Sequence, residues 1–280
     1  MIGDLHCHTY LSDGSMSIDD LIFYAKRAGL DVISLTDHDT MDGTQRAEVL
    51  GRRYGITVLP GAEISCFDNG RGRKVHILCY MPEKPDRLQG LFAQILDSRT
   101  KAGKRSIRAV MRYYPVTEEH IQRYTLGSKS IYKAHIIRAL LDLGYDCQSH
   151  GPLYKELFSG NGGLCERPVE YPDVYDALEV VHSAGGIAVL AHPPVYQSLE
   201  IMTELAEKGL IHGVEAYHPG TNGDDLNTIL AAAEKYGLIT TGGSDFHGFL
   251  TSCPNPLASS ITTEESLNAI YQLKKSMAKK

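Results

Sequence analysis

Near the start of the chain, "DLHCHT" places two histidines one residue apart at the end of a strand-like run. On an extended segment His6 and His8 share a face and can chelate one metal ion. Cys7 between them points the other way and reads as a small core residue. Such a pair can also be two rim residues, so the other strand ends decide. "DVISLTD" runs out at Asp37, His38 and Asp39, and "ITVLPGAEIS" carries Glu63. Later runs end at His192, at Glu215 to His218, and at Asp245 to His247. His76 lies inside "KVHILCYM" and must point inward, and Asp13 follows in the loop after the first strand. Nothing in fold stability calls for such a ring of polar groups, and leaving them unpaired costs desolvation free energy. A cation bound by imidazoles and carboxylates accounts for all of them at once.

Imidazole and carboxylate without thiolate suit Zn²⁺, Mn²⁺ or Fe²⁺. The candidate ligands are His6, His8, Asp13, His38, Glu63, His76, His192, Asp245 and His247, more than one ion can use. Two to three divalent ions in a shared cluster are therefore expected. Ions roughly 3.5–4 Å apart are typical of phosphate-ester hydrolysis by a metal-activated hydroxide. Ser12, Ser34 and Ser244 lie near these motifs, but none sits in a G-x-S-x-G context, so no side-chain nucleophile is expected. Asp37 is expected to orient a ligand histidine from behind.

These residues need a scaffold that brings strand ends to one mouth. "MIGDLHC", "DVISLTD", "ITVLPGAEIS" and "KVHILCYM" read as strands, separated at first by the amphipathic helices "SIDDLIFYAKRAGL" and "GTQRAEVLGRRYG". Ser17 can cap the first helix, and Gly29 and Gly55 can end the two. From 84 to 165 the chain turns helical with charged faces, and no buried strand is visible. Strand–helix alternation returns with "IAVLAHP", "IHGVEAYHP" and "ITTGGSDFHG". About seven strands, most followed by a helix, predict a closed or nearly closed α/β barrel of residues 1–83 and 166–280. A helical insertion of 84–165 interrupts it and covers the active site. In such barrels reactive groups sit at the C-terminal ends of the strands.

The bulk numbers agree. The 280 residues are 42% hydrophobic and 22% charged, with twelve histidines and a formal charge of −6. That balance argues against a large nucleic-acid footprint and a duplex DNA partner, while allowing a small phosphorylated substrate. Six cysteines form no C-x-x-C pair, and neither a signal peptide nor a membrane-length apolar run is visible. A cytoplasmic protein with no membrane partner is expected. The turn "FDNGRGRK" is expected to leave Arg71, Arg73 and Lys74 in solvent.

"DLHCHT", "SDG", "TDHD", "PGAEIS", "VHIL", "AHP", "EAYHP" and "GGSDFHG" occur here in the order that resembles the PHP (polymerase and histidinol phosphatase) family. The resemblance implies a distorted seven-stranded (β/α) barrel with a trinuclear centre. It implies one ion on His6, His8, Glu63 and Asp245, a second on Asp13, His38 and His247, and a third on Glu63, His76 and His192. The insertion resembles the branch of 3′,5′-nucleoside bisphosphate phosphatases and enzymes that trim short RNA from the 5′ end. There a "GRPHxARAL"-like segment corresponds to "SIYKAHIIRALLDLGY", with Lys133 in place of an arginine and His135 matching a histidine. Lys133 and His135 are thereby expected to contact substrate phosphate, joined by His218 as a phosphate contact or leaving-group acid. Arg138 reads as structural. The implied activity is hydrolysis of phosphate monoesters of small nucleotides or of short 5′-phosphorylated RNA. A histidinol-phosphate phosphatase, a non-catalytic metal or nucleotide sensor, and a cyclic amidohydrolase are the alternatives. The last usually needs a strand-end lysine, and none is visible.

Overall fold

The computed structural model describes residues 1–160, 162–251 and 255–279, which leaves Cys253 outside. The first unit is β1 (Gly3–Cys7), α1 (Ile18–Arg27), β2 (Val32–Leu35), α2 (Thr44–Tyr54) and β3 (Thr57–Val58). Its three strands are parallel in the order β1-β2-β3. Helix α1 begins where the Ser17 side chain accepts from the backbone N–H of Asp20, and Asp19 and Asp20 face the positive end of the helix dipole. Its apolar stripe of Ile18, Leu21, Ile22 and Ala25 is buried. Cys7, fully buried, packs into the same layer.

The second sheet runs β4 (Gly61–Asp68), β5 (Arg73–Tyr80), β6 (Ile187–Leu190), β7 (Gly213–Tyr217), β8 (Ile239–Gly242) in that order. Helices α7 (Val174–Ser183), α8 (Leu199–Glu207), α9 (Gly223–Tyr236) and α10 (Glu264–Met277) flank its later strands. The fold is thus α/β, where a distorted, closed or nearly closed barrel of about seven strands is expected. Among the described residues, eight strands make two sheets of three and five, neither closed on itself. Two local causes are visible. The run "ITVLPGAEIS" is cut at Pro60, which has no N–H to donate, so it yields β3 at the edge of one sheet and β4 at the edge of the other. The connection at Asp68–Arg73 is too short for a parallel crossover, so β4 and β5 form an antiparallel hairpin. Isolated bridges Cys7↔Phe246, Gly3↔Thr262 and His38↔Glu63 stitch the two sheets together. Leu5, Val32, Leu59, Leu78 and Val189 fill the space between them.

Between β5 and α7 the chain forms α3 (Gln89–Val110), α4 (Glu118–Gln122), α5 (Lys133–Asp142) and α6 (Pro152–Phe158). These helices bury their own apolar cluster, including Ile107, Ile121, Ile136, Leu140, Leu157 and Phe158. They are tied to the strand ends. Ser128 Oγ donates to the carbonyls of Leu11 and Ser12, and Tyr132 Oη to that of His38.

One glycine decides how closely two strand ends approach. A Cβ on Gly243, just past β8, would overlap the Cβ and backbone of His6. Gly243→Ala should therefore lower stability by about 1–3 kcal/mol, the usual cost of overpacking. Urea unfolding tests this, and an unchanged midpoint would contradict the tight approach.

Candidate metal centre

Strand alternation delivers His6 and His8 to the mouth, both fully buried. Their Nε2 atoms lie 3.1 and 3.2 Å from Glu63 Oε2, and 3.5 and 3.2 Å from Asp245 Oδ1. His38 Nδ1 is 3.2 Å from the same Glu63 oxygen, while His76 Nδ1 and His192 Nε2 lie 2.6 and 2.9 Å from Glu63 Oε1. Asp13 approaches His247 Nε2 at 3.2 Å and His38 Nε2 at 3.7 Å. Three overlapping donor sets result: His6, His8, Glu63 and Asp245; His8, Asp13, His38 and His247; and His38, Glu63 and His76. Within each set the donor atoms lie within 4.8 Å of one another. His192 joins through Glu63, so all nine residues singled out in the sequence gather at one place.

The donors fit divalent cations. His6 Nε2, His8 Nε2, His38 Nδ1 and Asp13 Oδ1 are buried without a hydrogen-bond partner. Orphaned buried polar atoms are rare, and these four converge on one region. Burial pushes the Glu63 carboxyl up, but His38, His76 and His6 outweigh it and hold the group well below the usual carboxylate range. Asp245 behaves alike under His247 and His6, and Asp13 under His247 and His38. Burial lowers the His8 imidazole, yet Asp245 and Glu63 outweigh it and hold it at about 10. One buried and two half-buried anions thus draw positive charge to a mouth lined with imidazole.

Several groups aim these side chains. Asp39, His192 and Asp245 have φ of 58°, 25° and 51°, left-handed conformations that non-glycine residues adopt at a cost of order 1–3 kcal/mol. All three stand just beyond strand ends. Glu215, on β7, accepts from His6 Nδ1 at 3.0 Å and from the His192 backbone N–H at 2.9 Å. That bond sets the tautomer that leaves His6 Nε2 facing the cluster. His247 Nδ1 donates to the Asp245 carbonyl at 2.8 Å, with the same effect on its Nε2.

Other expectations need correction. Asp37 does not orient an imidazole directly. It accepts from Thr9 N, Thr9 Oγ1 and Ser12 Oγ, so it braces the loop that leads to Asp13. His218 has both ring nitrogens engaged: Nδ1 accepts from Gly220 N, and Nε2 lies 3.4 Å from Asp245 Oδ2. It supports a candidate ligand instead of facing the cavity. His135 is buried, and its Nδ1 accepts from Tyr132 N at the start of α5. Burial pulls its pKa to about 4, so it is a neutral capping group outside the cavity wall.

Above the donors lies a cavity of about 470 Å³, lined by Asp13, His38, His76, Asp245 and His247 below. Lys133 lines it as expected from its place on α5, but so do Arg99, Tyr132, His150 and Lys74. Lys74 is exposed, as expected, and also borders the cavity. The strand period could have found it, because it stands two residues before His76 and shares its face. Arg99 donates to Asp39 at 3.0 Å and to Ser65 Oγ at 2.8 Å, with its guanidinium over the rings of Tyr132 and Tyr171.

This sequence and fold have known counterparts. The PHP domain family matches residues 4–188. The chain belongs to that family. It is 37% identical over 257 residues to a phosphoribosyl 1,2-cyclic phosphate 1,2-diphosphodiesterase of Eggerthella lenta, covering 91% of this chain and 97% of that one. It is 29% identical to a 5′-3′ exoribonuclease of Haemophilus influenzae, over 87% of this chain and 89% of the relative. Identity is also 29% to a 3′,5′-nucleoside bisphosphate phosphatase of Chromobacterium violaceum, over 87% and 86%. A solved structure of a candidate metal-dependent phosphoesterase from Bifidobacterium adolescentis superposes with a TM-score of 0.88 at 26% identity, covering 96% of this chain and 95% of that one. The PHP protein is a metal-dependent phosphoesterase.

Glu215 was legible only as one more acidic strand end, yet its geometry makes it the support of His6. Glu215→Gln should weaken Mn²⁺ binding by about 10- to 100-fold with the fold retained. Calorimetric titration beside circular dichroism reads both, and wild-type affinity in the variant would contradict the role.

Proposed function

We propose that this phosphoesterase acts on small ribose compounds carrying two phosphate groups, hydrolysing one over the donor cluster while the cations of the cavity wall face the other. The observation that carries the reading is the two-sided cavity: carboxylates and imidazoles on its floor, Lys74, Arg99 and Lys133 on its walls. Residues 84–165 are proposed to act as a helical domain that roofs the mouth of the α/β body formed by 1–83 and 166–280.

Two to three divalent ions, Mn²⁺, Fe²⁺ or Zn²⁺, are proposed to occupy the three donor sets. His6, His8, Glu63 and Asp245 would hold one, Asp13, His38 and His247 another, and Glu63 with His76 and His192 a third. Such ions supply Lewis acidity, polarising phosphoryl oxygens and making water acidic enough to react near neutral pH. The rest falls to the chain itself. Glu63 and Asp245 stay ionised, because flanking imidazoles outweigh the effect of burial. The roof narrows the path for bulk water and strengthens each charge beneath it. The three serines nearest the donor motifs are engaged. Ser12 Oγ is given to Asp37 at 2.6 Å, Ser34 Oγ to the Leu59 carbonyl at 2.8 Å and Ser244 Oγ to Asp4 at 2.6 Å.

The relatives rank the substrates. A phosphoribosyl 1,2-cyclic phosphate comes first, because the 37% relative named for it matches along nearly its whole length. Nucleoside 3′,5′-bisphosphates form the second reading, favoured by the relative of that name. Both present a second phosphate to the cation-bearing wall; histidinol phosphate would not.

The test assays the Mn²⁺-loaded enzyme on phosphoribosyl 1,2-cyclic phosphate, adenosine 3′,5′-bisphosphate and histidinol phosphate. Turnover of the cyclic ester should be largest. His8→Ala, which removes a donor shared by two sets, should lose activity about a hundredfold or more while keeping its circular dichroism spectrum. Full activity in the folded variant, or a preference for histidinol phosphate, would contradict the reading.

A further inference from the structure

The cavity wall carries four cations, and they differ in what already holds them. Arg99 is committed to Asp39 and Ser65. Arg167 Nη1 donates to the backbone carbonyl of Glu166 at 2.6 Å. Lys133 Nζ lies 2.6 Å from Glu166 Oε2, on the segment that leads out of the insertion. Lys74 is different: among the described residues no carboxylate lies within 4.0 Å of its Nζ, which instead sits 5.8 Å from the centre of the Tyr171 ring. The wall also has donor capacity in reserve, since Arg99 Nε is buried without a hydrogen-bond partner.

A carboxylate in a cavity built for phosphate is a paradox unless it has a task. Glu166 repels an incoming dianion, yet it also keeps the Lys133 ammonium at the wall in a defined place. An anion that brings two negative charges competes for that ammonium better than one carboxylate does. Lys74, with no carboxylate within 4.0 Å among the described residues and with Glu166 acting on it only from farther off, can meet it first.

We infer that Lys74 and Lys133 form a two-lysine subsite for the phosphate that is not hydrolysed, with Glu166 as an exchangeable counter-ion that occupies Lys133 until that phosphate displaces it. Lys74 then determines specificity, selecting substrates with two phosphates over those with one. This inference rests on the proposed function for its substrate class, but not for the existence of the subsite.

The test uses the full chain loaded with Mn²⁺. Turnover is measured on adenosine 3′,5′-bisphosphate and on p-nitrophenyl phosphate, and adenosine 5′-monophosphate is titrated by calorimetry. Lys74→Met should lower kcat/KM for the bisphosphate, through KM, about tenfold more than for the aryl phosphate, and weaken the monophosphate about tenfold. Lys74→Arg should recover most of both. Glu166→Gln should tighten the monophosphate by roughly threefold or more, because Lys133 no longer has a competing anion. Equal losses of Lys74→Met on both substrates, an unchanged monophosphate affinity, or weaker binding in Glu166→Gln would overturn the subsite. A wild-type enzyme that binds the monophosphate through Lys74 but hydrolyses no phosphate ester would overturn the proposed function instead, and leave the subsite standing.

Discussion

A carboxylate that is 1% exposed and ringed by five imidazoles within 3.2 Å can remain ionised only if positive charge is kept close to it, and Glu63 is in that position. Moving such a group out of water costs several kcal/mol even after relaxation, and imidazoles alone offset this only by taking up protons. Divalent cations offset it without protons and satisfy the unpartnered nitrogens at the same time. Much of the local structure serves to hold donors in that arrangement. Strained backbone at His192 and Asp245 turns two candidate ligands inward, Gly243 lets β8 close on His6, and Glu215 locks the His6 ring. Each feature is costly or restrictive taken alone, which is why a shared electrostatic purpose explains them better than stability does.

The same logic joins the insertion to the strands. Asp39 sits beside the candidate ligand His38, accepts from Ser65 on β4, and accepts from Arg99 on α3. Tyr132 bonds the carbonyl of His38. The helices of 84–165 are therefore hydrogen-bonded to the backbone of His38 and to its neighbour Asp39, and the cavity wall and the donor floor share these hydrogen bonds. His135 belongs to this join as well, since it organises the start of the helix from which Lys133 reaches the cavity.

The donor set was legible because strand alternation and strand-end position are local properties. His6 and His8 share a face by spacing alone, and His76 faces inward by the same count. What was not legible depended on partners distant in the chain. Nothing near Glu215 says that His6, 209 residues away, will use it. The types of His135 and His218 suggested phosphate contact, but a histidine's role depends on which ring nitrogen is free: Nδ1 of His135 is taken by the Tyr132 N–H, and both nitrogens of His218 are engaged. The strand count failed at Pro60, where one apolar run serves two sheets. Arg99 lies mid-helix with no local pattern to mark it, and its role appears only once α3 crosses the mouth.

The central claim, that Glu63 is shared between cations, is tested most directly by anomalous diffraction from crystals of the full chain grown with Mn²⁺. The account predicts at least two anomalous peaks flanking the Glu63 carboxylate, one contacting His6 or His8 and another contacting His38 or His76. A single peak remote from Glu63, or a well-ordered site with none, would contradict it.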